Sequence, residues 1–214
     1  TSADAARSVY AADVDGDGHM DVLSASRDDD KIAWYENDGS EGFTEHVISI
    51  SADGALFVYA ADVDADGDMD VLSASEADDK INWYENDGSE SFTEHVISTS
   101  AIGAYSIYVA DVDSDGDMDV LSTSAGDNKI AWYENDGSET FTEYVISDSA
   151  DVPWSVYAAD VDADGDMDVL SASRDDDKIA WYENDGSESF TEHVISISAD
   201  GASSVYTADV DGDG

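Results

Sequence analysis

The residues best suited to chemistry are carboxylates at alternate positions of a short loop. Asp13-Val-Asp15-Gly-Asp17-Gly18-His-Met-Asp21 has the form Asp-x-Asp-x-Asp-Gly-x-x-Asp, and the pattern returns at Asp62–Asp70, Asp111–Asp119 and Asp160–Asp168. Acids at alternate positions of a tight turn converge on one point, and Gly at the sixth position lets the chain turn sharply. Hard oxygen donors without His or Cys suit calcium, which takes about six to eight oxygens in flexible geometry, whereas magnesium favours a small octahedral shell that keeps several waters. The seventh position varies (His19, Asp68, Asp117, Asp166), as expected where only a backbone carbonyl binds. A helix-flanked calcium loop shares the first half of the motif but needs a carboxylate at its twelfth position, where this chain has Ser24, Ser73, Ser122 and Ser171. The expectation is one calcium per complete loop. A merely solvated acidic turn is the alternative, and four copies argue against it.

Such loops must be held by a repeating frame. The Trp-Tyr-Glu-Asn motif starts at Trp34, Trp83, Trp132 and Trp181, each 49 residues after the last, and Asp-Val-Asp keeps the same spacing. Between residues 13–49 and 160–196, 34 of 37 positions are identical. A constant period of this length signals stacked supersecondary units and falls in the range of propeller blades. The units run about 1–49, 50–98, 99–147 and 148–196, with a partial fifth over 197–214. Each unit reads as four short strands, in the first case Ser8–Val14, Met20–Ser26, Lys31–Glu36 and Phe43–Ser49, rich in β-branched and aromatic residues and bounded by Asp, Asn, Gly or Ser. Asn37-Asp38-Gly39 is a hairpin signal between the last two. Apolar residues fall on both faces (Ile32 and Trp34 against Ala33 and Tyr35), which suits sheets covered on both sides. No segment sustains a helical period. The predicted fold is all-β: a propeller-like array of four-stranded antiparallel blades, four full units and the first strand of a fifth.

Composition sharpens the environment. The chain of 214 residues carries 53 Asp and Glu against seven Lys and Arg, a formal charge of −46, yet is 42% apolar and so has the makings of a folded core. Nucleic acid and anionic membrane surfaces would repel it. No run approaches the ~20 apolar residues of a bilayer helix, and without Cys there is no disulfide framework or thiol chemistry. The start at Thr1-Ser2-Ala3-Asp4 reads as a mature chain or an excerpt, and the stop at Gly214, inside a fifth acidic loop, as truncation of a longer protein.

The acidic loop between two strands of a repeated blade resembles the FG-GAP and VCBS-type repeats of integrin-like β-propellers, over essentially the whole chain. The Phe-Gly and Gly-Ala-Pro signatures of the integrin form are missing, so the VCBS-like variety is the better match. The resemblance implies calcium binding through the side chains of Asp13, Asp15, Asp17 and Asp21 and their counterparts. These are Asp62, Asp64, Asp66 and Asp70; Asp111, Asp113, Asp115 and Asp119; Asp160, Asp162, Asp164 and Asp168; and, in the partial unit, Asp209, Asp211 and Asp213. It also implies an extracellular or cell-surface location, since proteins with such repeats are mostly adhesins, lectins or ancillary modules.

In an antiparallel blade the first and third loops share one edge, so the acidic loop lies beside Asn37-Asp38-Gly39. Variation between units gathers at the other edge, in the column Arg7, Leu56, Tyr105, Trp154, Ser203. Tyr105 and Trp154 would suit a glycan or protein ligand; packing against the next blade is the plainer expectation. The repeated Trp residues read as blade core. His46, His95 and His193 read as structural because Tyr144 replaces the fourth, and Lys31, Lys80, Lys129 and Lys178 as partners of nearby acids. Asp28-Asp29-Asp30 reads as a solvated turn. No singular Ser-His-Asp or Cys-His set stands out and nothing breaks the repeat, so the expectation is a protein without catalytic activity. The first functional expectation is an extracellular calcium-binding scaffold, structural or adhesive, able to polymerise into a fibre or surface layer through its terminal repeat. The alternative is a lectin-like module using the varied edge.

Overall fold

The computed structural model describes residues 3–212. Among these residues sixteen strands form four separate four-stranded antiparallel sheets in simple meander order. The first blade holds β1 (Ala6–Ala12), β2 (Asp21–Ser26), β3 (Lys31–Asn37) and β4 (Phe43–Ser49), and the second β5 (Ala55–Ala61), β6 (Asp70–Ser75), β7 (Lys80–Asn86) and β8 (Phe92–Ser98). The third holds β9 (Ala104–Ala110), β10 (Asp119–Ser124), β11 (Lys129–Asn135) and β12 (Phe141–Ser147), and the fourth β13 (Pro153–Ala159), β14 (Asp168–Ser173), β15 (Lys178–Asn184) and β16 (Phe190–Ser196). The predicted class and period hold. The first strand of each unit is shifted: it starts two residues earlier and ends at Ala12, because Asp13 and Val14 have left the ladder for the acidic loop.

Blades stack face to face. Each sheet turns its Trp face to the next sheet's Tyr face, so Trp34, Leu23 and Ile32 pack with Val58, Val71 and Tyr84. The second interface repeats this with Trp83 and Tyr133, and the third with Trp132 and Tyr182. These aromatic side chains are fully buried, each removing a large apolar area from water. Three of the rings expected as blade core, Trp34, Trp83 and Trp132, are therefore core, while Trp181 on the fourth blade is half-buried; the two-faced apolar pattern is explained in β7 and β11 by a neighbour on each side.

The first strands line up side by side, β1 on β5, β5 on β9 and β9 on β13, and the sheets do not close into a ring. A tyrosine from each inner strand forms a ladder along this row: Tyr10–Tyr59 at 4.6 Å, Tyr59–Tyr108 at 5.6 Å, Tyr108–Tyr157 at 4.6 Å and Tyr157–Tyr206 at 4.9 Å between ring centroids. Because the row is open, the outer face of the first blade is uncovered: Val9 is 69% exposed, while its counterparts Val58 and Ile107 are each 1% exposed.

The predicted first strand of a fifth unit is corrected. Residues 203–209 form no ladder, since a strand needs a hydrogen-bonding partner and no strand among the described residues pairs with them. The segment still follows the berth of a first strand: Ala202 is buried, Val205 N donates to Ser155 Oγ at 3.3 Å, and the Tyr206 ring lies tilted against Tyr157.

Candidate functional site

Each acidic loop spans the gap between the first two strands of its blade, and its conformation is fixed by its own acids. In the second unit Gly67 N donates to Asp62 Oδ2 at 3.1 Å, Asp66 N to Asp64 Oδ1 at 3.2 Å, and Asp68 N to Asp66 Oδ1 at 2.9 Å. The other three units repeat these bonds. The sixth-position Gly67 has φ +100°, a conformation Gly adopts at little cost. As a result Asp13, Asp15 and Asp17 bring one carboxylate oxygen each to within 4.8 Å of one another, as do Asp62, Asp64 and Asp66, and Asp111, Asp113 and Asp115. In the fourth unit the converging set is Asp160, Asp162 and Asp168.

The last Asp of the loop has a second task that the spacing does not reveal. Asp21, Asp70, Asp119 and Asp168 are fully buried. Asp70 Oδ2 accepts from Val63 N at 3.0 Å and Oδ1 from Asn86 N at 2.8 Å, so this carboxylate ties the loop to the end of β7. Asn86 then donates its side-chain amide to Met69 O at 3.1 Å and, across the blade interface, to Val14 O at 3.0 Å. Asn135 reaches Val63 O and Asn184 reaches Val112 O in the same way. The Asn of the Trp-Tyr-Glu-Asn motif therefore fastens its own acidic loop and the loop of the preceding blade. Its presence in all four copies was the sequence signal for this role.

Burial pushes Asp70 and Asp119 up to about 6, against the pull of the backbone N–H groups they accept from. Asp15, Asp64, Asp113 and Asp162 are also raised, first by loss of solvent and then by repulsion from neighbouring acids. The donor set fits a hard divalent cation: every side-chain donor is a carboxylate, and Asp13 Oδ1 and Asp62 Oδ1 are buried without a hydrogen-bond partner. At the seventh position His19 departs from the Asp of the other units, and its Nδ1 lies 2.9 Å from Asp17 Oδ2. The side chains of His19, Asp68, Asp117 and Asp166 all lie over the Gly of the adjoining hairpin turn, which confirms that the first and third loops share an edge. In the partial unit, Gly212 N donates to Asp209 Oδ1 at 2.7 Å and Asp211 is exposed, while Asp213 lies outside the described residues.

The varied column lines a cavity of about 620 Å³ together with Arg27, Glu76 and the tyrosines Tyr59, Tyr108 and Tyr157. Leu56 is buried, so it offers a partner little surface. Tyr105 and Trp154 stack on each other at 5.1 Å with 1° between ring planes, and the Arg174 guanidinium lies 4.5 Å from the Trp154 ring centroid. One face of Tyr105 is thus taken by Trp154, and the Trp154 ring is contacted by both Tyr105 and Arg174, leaving both rings half-buried. Arg27 bridges to Glu76 of the next blade at 3.0 Å.

The remaining repeated polar residues support the frame. His46, His95 and His193 stack on Trp34, Trp83 and Trp181 at 4.5–4.6 Å, and Nε2 of each lies 2.6–2.9 Å from Glu36, Glu85 or Glu183. Tyr144 takes the same place on Trp132 at 4.9 Å. Lys31, Lys129 and Lys178 each bridge a turn acid and an acid of the fourth strand, and Lys80 bridges Asp78 at 2.7 Å. The middle of Asp28-Asp29-Asp30 is the Lys31 partner, and Asp30 Oδ1 accepts from Gly54 N at 3.0 Å, so this turn braces the link to the next blade.

No curated protein matches the chain. Among solved structures it is similar to a streptogramin B lyase (TM-score 0.64, 18% identity, 94% of this chain and 58% of that one). It is similar also to virginiamycin B lyase from Staphylococcus aureus (0.63, 17%, 94% and 59%). A third is the periplasmic gluconolactonase of Pseudomonas aeruginosa (0.63, 15%, 92% and 55%). The chain thus spans between half and three-fifths of the length of these structures, and at such identity the likeness is one of fold. It corrects the expectation of a protein without catalytic activity: enzymes are built on this architecture, so an unbroken repeat gives no ground for excluding catalysis. The physical reason is that blades bring equivalent positions to one axis, where a site can be assembled from small differences between units. The FG-GAP-like repeat model matches residues 13–73, 62–122, 111–171 and 160–214, each match starting at one acidic loop and reaching into the next. With that match across nearly all its length, the chain belongs to the FG-GAP-like repeat family.

Proposed function

We propose that the chain is a calcium-stabilised repeat scaffold of the cell exterior, with a structural or adhesive role. The observation that carries this reading is the convergence of three carboxylates in each of the four complete loops, with no Lys or Arg among the converging groups. Such convergence raises the energy of the folded chain unless a cation offsets it. A calcium ion held by Asp62, Asp64 and Asp66 would supply that charge, and Asp70 would hold the loop around it. In this reading the metal fastens the gap between the first two strands of each blade, so binding is coupled to folding. The same loops, and an acidic surface that calcium and salt would screen, support the VCBS-like assignment and the exterior location.

Calorimetric titration of metal-stripped protein tests the reading. The expected stoichiometry approaches four ions, one per complete loop, with Asp64→Asn removing one. Absence of calcium binding at millimolar concentration, or a stoichiometry unmoved by Asp64→Asn, would overturn it.

The cavity beside Tyr105 and Trp154 supports a second reading, a lectin-like module that takes a glycan or protein ligand at the edge opposite the acidic loops. A glycan array run in calcium separates the two, because this reading alone expects binding that Tyr105→Ala abolishes.

A further inference from the structure

Where the second blade meets the third, three side chains converge that belong neither to an acidic loop nor to the varied cavity. Glu85 near the end of β7, His95 in β8 and Glu139 in the turn between β11 and β12 each bring one ligand atom to within 4.8 Å of the other two. Glu85 Oε2 lies 2.7 Å from His95 Nε2. Two of the three come from one blade and the third from its neighbour, so the cluster spans the interface. Packing assembles it. The register of β7 with β8 sets His95 opposite Trp83, on which its ring stacks at 4.6 Å. Phe141, two residues beyond Glu139, meets the same Trp83 at 6.4 Å, which anchors the third blade's turn beside the imidazole. Glu139 has a left-handed φ of +62°, where Gly would cost less. The position is nevertheless Glu in every unit (Glu41, Glu90, Glu139, Glu188), while the residue after it changes between Gly, Ser and Thr. Among the described residues no Lys or Arg pairs with Glu85 or Glu139.

We infer that His95, Glu85 and Glu139 form a binding site for a zinc-type transition-metal ion that bridges the second and third blades. An imidazole nitrogen with two carboxylates suits such an ion, whereas calcium and magnesium take oxygen ligands. Two carboxylates and a neutral imidazole carry two negative charges, which a divalent ion cancels; a protonated His95 would cancel only one. Glu85 and His95 are half-buried and Glu139 is exposed, so an ion reaches the site from solvent. Three protein ligands leave a coordination position for water, as in an accessible zinc site. The repeat supplies its own comparison. At the third interface Tyr144 stands on Trp132 as His95 stands on Trp83, with Glu134 and Glu188 at the positions of Glu85 and Glu139. A hydrogen bond with Glu134 pushes the Tyr144 phenol up, so the group that replaces imidazole there keeps its proton and ligates poorly. At the first interface His46 Nε2 and Glu36 Oε2 keep their pair at 2.9 Å, but among the described residues only the second interface closes the full set of three. The donor set differs from that of the acidic loops, and the site therefore stands or falls separately from calcium binding.

Calorimetric titration of the whole chain with zinc, in excess calcium to hold the oxygen-only sites, tests the inference, and the visible spectrum of bound cobalt reports nitrogen ligation. Zinc binding is expected to persist in calcium. His95→Tyr reproduces the side chain that the third interface already accommodates, so the variant folds, and it should weaken zinc binding by at least about tenfold. Glu139→Gln, an exposed change on the other blade, should weaken it in the same direction. His19→Asp and His46→Tyr, each a residue that another unit carries at that place, should leave the site intact. Loss of zinc binding in excess calcium would overturn the inference, since zinc would then only compete for the acidic loops. Binding that survives both His95→Tyr and Glu139→Gln would overturn it too, and would leave His95 and Glu85 as an ion pair alone.

Discussion

The four buried carboxylates at the ends of the loops divide the labour of the site with the three acids that precede each. Asp70 satisfies two backbone N–H groups, so Asp70→Asn would leave one facing an amide NH₂ and should cost about 1–3 kcal/mol with or without calcium, measured by urea unfolding. Asp64→Asn removes a converging charge and no backbone support beyond one exposed turn; it should reduce only the stability gained on adding calcium. Acidity gives a separate check. Asp70 and Asp119 are pushed from 3.8 up to about 6 in the folded protein, which therefore holds protons at pH 5 that the unfolded chain has released. Stability of the metal-stripped protein then falls as pH rises from about 4 through 6. Its melting temperature should be roughly 5 °C higher at pH 5 than at pH 7.5; an equal or lower value at pH 5 would contradict the burial of these acids. The fourth loop position offers a stabilising change, because Ala163 has φ +63° where the first unit has Gly16 at +71°. Ala163→Gly should raise stability by about 1 kcal/mol in thermal unfolding.

At the scale of the elements, the pairing of the third and fourth strands sets the stack of Trp on His or Tyr. Because Tyr144 fills the place of His95, His95→Tyr should change stability by less than about 0.5 kcal/mol, while His95→Ala should cost about 1 kcal/mol by losing the ring contact. The strands themselves were legible, since a strict 49-residue period multiplies every local signal by four. The bounds that the pattern predicts for the fourth strand, Phe43–Ser49, are those of β4. The first strand was misplaced because Val14 looks like a strand residue, and only the bond from Val14 N to buried Asp21 takes it out of the ladder. The convergence of Asp13, Asp15 and Asp17 followed from alternation alone. The bracing by Asp21 and the reach of Asn86 to the preceding blade did not, because those contacts join residues 7, 16 and 72 apart that no local pattern relates. The tyrosine ladder was present in the spacing of Tyr10, Tyr59, Tyr108, Tyr157 and Tyr206, but it gains meaning only once the inner strands are known to stand side by side.

For the whole molecule, the apolar stack and the acidic surface act in opposite directions. Three interfaces of buried Trp and Tyr hold the blades together, while a net charge of −46 pushes them apart. Four calcium ions, carrying eight positive charges, would bring the charge only to −38. Their effect must therefore be local, at the points where carboxylates are forced together, with salt screening the rest. Because these points tie the first strand of every blade to the second, cooperative stability would depend on the metal. The most direct measurement is the melting temperature of the chain in excess calcium and, after verified metal removal, in excess chelator, at one pH and salt concentration. A fall of roughly 10 °C or more is expected on metal removal; an unchanged melting temperature would contradict a metal-fastened stack.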